Sequence, residues 1–212
     1  MSSRGLTRKQ TGRDDRVRLT AEERGVEIVA AARGVLREVG YEKFQPAEVA
    51  RRCGVSEALV YRYFPTRSDL LSRVAEEWLA EVLAREPDVS RAAGTEAALR
   101  AVIDHGFQVI RAEPALTRYI LLELRADPAF RGTAVHLLNR RVVEHCTRVL
   151  AVGVANGTYR DDIPVTWLRD MIFGAIEHQT WAYLRGEGQF PPSKVAAGIA
   201  SVIHRGMLAG NG

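Results

Sequence analysis

The chain has 212 residues, 46% of them hydrophobic and 26% charged, which excludes general disorder and leaves enough apolar material for a real core. The longest run without Asp, Glu, Lys or Arg covers residues 149–159, short of the roughly 18 needed to cross a bilayer, so no membrane span is expected. The formal net charge is +4, and residues 1–18 alone carry that excess, with Arg4, Arg8, Lys9, Arg13, Arg16 and Arg18 set against Asp14 and Asp15. A basic tail before a neutral body is either a contact for a polyanion or a solvated arm. No apolar stretch follows the basic start, so no secretory leader is expected and the chain reads as cytoplasmic. Cys53 and Cys146 fit neither a disulfide framework nor a metal spacing and read as small core residues.

Thr20-Ala-Glu-Glu23 has the form of a capping box, and Val29, Ala32, Val35 and Leu36 recur behind it at helical spacing, which predicts a helix up to Val39 with Gly40 as its stop. Pro46 opens a short second helix over residues 46–52. Gly54 stands where a tight turn wants a positive φ, and Ser56 caps a third helix that ends at Tyr63 before Pro65. Thr66 and Asp69 repeat the capping pattern, and Leu70, Leu71, Val74, Trp78 and Val82 carry a fourth helix to about Arg85. After a linker over 87–94, apolar residues continue from Leu99 to Ile110 and, beyond Pro114, from Leu116 to Leu124. Asp127-Pro128 is expected to open the longest helix, ending at 156–157, and the last two are expected over 164–185 and 193–208. No strand-like alternation competes, so the fold class is all-α with about nine helices.

The two short helices joined by Cys53-Gly54-Val55-Ser56 form a helix-turn-helix, whose second helix can enter a major groove. Tyr61, Arg62, Tyr63, Thr66 and Arg67 cluster where that helix and the next N-terminus would meet phosphates. Gly40-Tyr41, Val49-Ala50, Gly54-Val55-Ser56, Tyr61-Arg62-Tyr63-Phe64-Pro65 and Leu70-Leu71 at these spacings resemble the tetracycline-repressor (TetR/AcrR) family over residues 24–78. The resemblance implies a homodimeric transcriptional regulator, usually a repressor of a palindromic operator. It divides the chain into a basic tail at 1–18, a DNA-binding domain at 19–66, and an effector-binding and dimerisation domain at 67–212. It adds Lys43, Gln45, Ser56, Glu57 and Ala58 to the expected DNA contacts, with Gln45 where the family commonly has threonine and Arg67 where it often has lysine. Glu57 can accept from cytosine N4 or favour the helix dipole.

The helix from Pro164 is apolar around most of its circumference, so it is expected to be buried on two sides. With the last helix it resembles the family's four-helix dimer interface, expected here to use Phe173, Ile176, Ile199, Val202 and Ile203. An effector pocket is expected among Phe107, Ile110, Leu121, Leu138, Met171 and Trp181, with Glu123 and His178 orienting a polar group of a small hydrophobic or amphipathic ligand. His105, His136, His145, His178 and His204 show no metal-ligand spacing, and no nucleophile, phosphate-loop or dinucleotide motif is present, so no metal, cofactor or catalytic residue is expected. The competing class is an all-α enzyme or small-molecule carrier with an incidental helix-turn-helix.

Overall fold

The structure, a computed structural model, describes residues 20–209. The basic arm at 1–18, with the polyanion contact expected of it, lies outside the described residues. Among them the chain forms nine α-helices: α1 (Ala21–Val39), α2 (Pro46–Cys53), α3 (Glu57–Tyr63), α4 (Arg67–Ala84), α5 (Thr95–Ala112), α6 (Pro114–Tyr119), α7 (Ala134–Ala155), α8 (Val165–Leu184) and α9 (Pro192–Met207). The one β pairing there is an isolated bridge between Tyr159 and Leu208, and no helix is long and apolar enough to cross a membrane.

Local chemistry sets the boundaries that matter for function. Thr20 N donates to Glu23 Oε2 at 2.8 Å and Glu23 N returns a bond to Thr20 Oγ1 at 3.2 Å, which satisfies two amides that α1 would otherwise leave open. Gly54 ends α2 in the left-handed region at φ 64°, where a side chain would be strained. Ser56 Oγ then accepts from Leu59 N to start α3, and Thr66 and Asp69 form a second capping box at α4.

Two buried clusters hold these helices together. The first joins Ile28 and Leu36 of α1, Val49 of α2, Val60 of α3 and Leu71 and Trp78 of α4, and it continues into Leu116 and Ile120. Each such side chain contributes about 1.5–3 kcal/mol on burial, so α4 is tied to both halves of the molecule across the boundary expected at 66/67. The second cluster packs α5 against α7, α8 and α9 through Ile103, Phe107, Leu150, Ile172 and Ala200. Cys146 belongs to it, and burial pushes its thiol up to about 12. Gly153 of α7 sits where a Cβ would collide with the Tyr159 ring and the Thr95 methyl.

Two elements differ from the sequence expectation. Asp127-Pro128 opens only a 3-10 turn, Pro128–Phe130, because Gly132 at φ 88° redirects the backbone and Thr133 caps α7 by accepting from His136 N. After α6 the chain widens into a π turn over Ile120–Leu124, where Arg125 N reaches Ile120 O at 3.0 Å.

Candidate DNA-reading surface and ligand cavity

α3 is pinned from below by Val60, 1% exposed, and turns Glu57, Ala58, Tyr61 and Arg62 outward. Lys43 and Gln45 stand exposed at the entry to α2, and Gln45 makes no side-chain capping bond, so its amide is available. Other expected contacts are engaged within the protein. The Ser56 and Thr66 hydroxyls cap α3 and α4, and Arg67, although exposed, donates to the Tyr41 carbonyl. Tyr63 is half-buried against the first core with its ring beside Gly25. Glu57 lies exposed in the first turn of α3, the helix end that favours negative charge. Arg52 forks onto Glu38 at 2.6 and 2.9 Å, fastening α2 to α1, and the Arg51 and Arg52 guanidinium groups together hold Glu48 down to about 2.

α4, α5, the π turn, α7 and α8 surround a cavity of about 650 Å³, within the roughly 300–1,000 Å³ of small-molecule sites. Its walls are apolar, with Trp78, Val82, Val102, Val109, Ile120 and Phe173 among them. His136 and His145 of α7 both line it. The lining also includes exposed Arg125, Asp127 and Arg131, with Arg125 paired to Glu177. Half-buried Glu86, His105 and Arg169 and buried His145 add polar groups to the wall.

Of the expected pocket residues, Ile110 and Leu121 line the cavity. Phe107 stacks on Phe190 with ring centroids 5.3 Å apart inside the second core, and Leu138 packs against the first. Glu123 accepts from the Tyr41 hydroxyl at 2.8 Å. Met171 and His178 point outward on α8 and Trp181 is half-buried, all away from the cavity. Phe173 and Ile176, expected at a dimer seam, line the cavity in their stead. The reason is rotational phase: on a helix apolar all round, the sequence does not say which face turns inward. The outward stripe is Trp167, Met171, Gly174 and His178, with Trp167 65% exposed. On α9, Ile199 and Ile203 are half-buried against the second core while Val202 is 72% exposed.

Polar ties connect the α5–α6 junction and the π turn to the N-terminal helices. Glu113, 1% exposed at the α5–α6 junction, accepts from Arg33 Nε at 2.8 Å and Arg37 Nε at 3.0 Å. Arg33 also forks onto Glu81 of α4 at 2.6 and 3.1 Å and holds that carboxyl below its usual range. A second tie runs from the π turn through Glu123 to Tyr41, whose carbonyl receives Arg67, and Arg118 pairs with Glu42 at 2.6 Å beside it.

A helix-turn-helix packed on a helical body with a ligand-sized cavity is the build of a DNA-binding regulator. The family model described as bacterial regulatory proteins, tetR family, matches residues 28–74, and that of the YsiA-like protein, C-terminal region, matches 77–206. The chain belongs to the tetR family and is a DNA-binding transcriptional regulator. It is 30% identical over 169 residues to the HTH-type transcriptional regulator CymR of Pseudomonas putida, covering 75% of this chain and 80% of that protein. With the fatty acid metabolism regulator protein of Bacillus subtilis it shares 22% identity over 183 residues, covering 86% of this chain and 94% of the relative. The crystal structure of FadR from Bacillus subtilis in complex with stearoyl-CoA superposes with a TM-score of 0.72 at 23% identity, covering 86% of this chain and 98% of that one.

Proposed function

We propose that the protein is a cytoplasmic homodimeric repressor that grips an inverted-repeat operator through α3 and lets go when an amphipathic acyl ligand fills the cavity. The observation that carries the reading is the cavity itself, lined mostly by apolar side chains with Arg125 and Arg131 among the polar ones. Those arginines would meet an anionic head, while Trp78, Val109 and Phe173 would take a hydrocarbon tail. The names of the B. subtilis relative and of the stearoyl-CoA complex support a long-chain acyl-CoA as the first ligand to try. Ile120 and Leu121 put the π turn in the cavity wall, so a ligand there presses on the element that holds Tyr41 through Glu123.

For DNA, Tyr61, Arg62, Lys43, Gln45 and Arg67 would contact phosphates, Glu57 and Ala58 would reach base edges, and Ser56, Thr66 and Tyr63 would set the angle of α3. The dimer would form on the outward stripe of α8, with Met171 and His178 near its centre, and on Val202 of α9, since a monomer would leave these apolar groups in water. Footprinting of the DNA upstream of the protein's own coding region, with and without hexadecanoyl-CoA, tests the reading. The expected result is a two-fold symmetric footprint that the thioester erases. Ligand binding without any footprint favours the carrier reading.

A further inference from the structure

Four arginines line the cavity, and they differ in what already holds them. Arg125 pairs with Glu177 of α8, and Arg169 pairs with Asp170 at 2.7 Å. Arg131 forms no ion pair among the described residues, and Arg140 meets Glu144 only at 4.0 Å. Both are exposed although they line the cavity, so the wall meets solvent here. His136 lines it between them. The amide of Gly132, next in the chain after Arg131, donates to His136 Nδ1 at 3.0 Å, and Arg140 follows one turn along the same face of α7, about 6 Å further. A ring that accepts at Nδ1 carries its proton on Nε2, and Phe130 holds this ring edge-on with centroids 5.3 Å apart. The acid that precedes the segment, Asp127, also lines the cavity, but its Oδ1 accepts from the Ala129 amide at 2.8 Å.

We propose that residues 131–140 form a subsite for a phosphate group, so that the effector is a phosphorylated acyl compound and not a free fatty acid. The proposal rests on the acyl-effector reading above and sharpens it: the anionic head goes to Arg131, His136 and Arg140, while Arg125 keeps Glu177. Guanidinium groups without a carboxylate of their own are the usual grip on phosphate oxygens. A phosphate has oxygens enough for both guanidinium groups and the His136 Nε2–H at once. A fatty-acid carboxylate, with two oxygens and one charge, is filled by a single guanidinium fork.

Calorimetry on the full-length protein compares hexadecanoyl-CoA with hexadecanoyl-pantetheine, and 1-hexadecanoylglycerol 3-phosphate with 1-hexadecanoylglycerol. The phosphate comes from a thioester in the first pair and from a lipid head in the second. The phosphorylated member of at least one pair is expected to bind about tenfold tighter, and the pair with the larger gap names the source. Replacing both arginines, Arg131→Ala with Arg140→Ala, should close most of that gap. Equal binding within both pairs, or a gap of the same size in the doubly substituted protein, overturns the proposal while the acyl-effector reading stands. If none of the four compounds binds although operator binding is intact, the effector reading falls and the subsite with it. The comparison between compounds uses the unmodified protein, and both arginines are exposed, so neither arm depends on a substitution in the core.

Discussion

The reading head and the cavity are built in opposite ways. The head takes its outward residues from one short stretch, Lys43 to Arg67, and a glycine, a serine and two capping boxes set its geometry. The cavity draws its wall from short runs of residues spread between Trp78 and Glu177, brought together from helices far apart in sequence. A surface made of consecutive residues is specified by local chemistry, whereas a void among long helices is specified by the rotation of each helix about its axis. The two halves should therefore respond differently to substitution, and they meet at Glu113 and the Tyr41–Glu123 bond.

The largest effect should come from separating two copies of the head. Met171→Asp puts a charge at the centre of the outward stripe of α8 while leaving both cores intact, so sedimentation should show folded monomers and operator affinity should fall on the order of a hundredfold through lost avidity. An unaltered dimer would move the interface off α8. Next is the joint. Glu113→Gln leaves Arg33 and Arg37 without their buried carboxylate, and because Arg37 is half exposed the cost should be about 2 kcal/mol in denaturant unfolding, below the roughly 3–5 of a fully buried pair.

Within the head, Arg62→Ala should weaken binding to all DNA sequences alike and reduce the salt slope by about one unit. A loss confined to one operator sequence would instead make Arg62 a base contact. The smallest effect concerns pH. Burial, and then the charge of His145, hold the His105 imidazole below its ordinary value near 6.5, so the unfolded chain binds the proton more readily than the folded one. Stability should then rise with pH and be lost as pH falls through about 6.5, above the range where the carboxylates titrate. His105→Gln should flatten the melting temperature between about pH 7 and pH 5.5, and an unchanged slope would assign that proton to another group.

The same contrast explains what the sequence could tell. The nine α-helices among the described residues were legible, most of them because capping residues and proline at the helix start act locally, and α5 through its apolar spacing alone. So were the outward faces of Glu57, Ala58, Tyr61 and Arg62, since Val60 alone fits the inward position of α3. The misplaced helix start at Asp127-Pro128 is local chemistry overridden by a glycine four residues on. Of the residues expected in the cavity, only Ile110 of α5 and Leu121 of the π turn line it. On α8, Phe173 and Ile176 could not be told from Met171 and His178, because apolar residues on both faces remove the periodic signal. Glu86, His105 and His145 have no common spacing, and only folding brings them to one cavity wall.

The central claim is that operator release is governed from inside the cavity, and Gly106 offers the most direct test. A Cβ there would stand 3.6 Å from Ile176, ordinary contact at the cavity wall, so Gly106→Leu should fill the void without disturbing the backbone. Fluorescence anisotropy of labelled operator, titrated with hexadecanoyl-CoA, should show release from the unmodified protein. Gly106→Leu should bind the operator within a few fold of normal and no longer let go. Release that proceeds unchanged in Gly106→Leu would contradict the account.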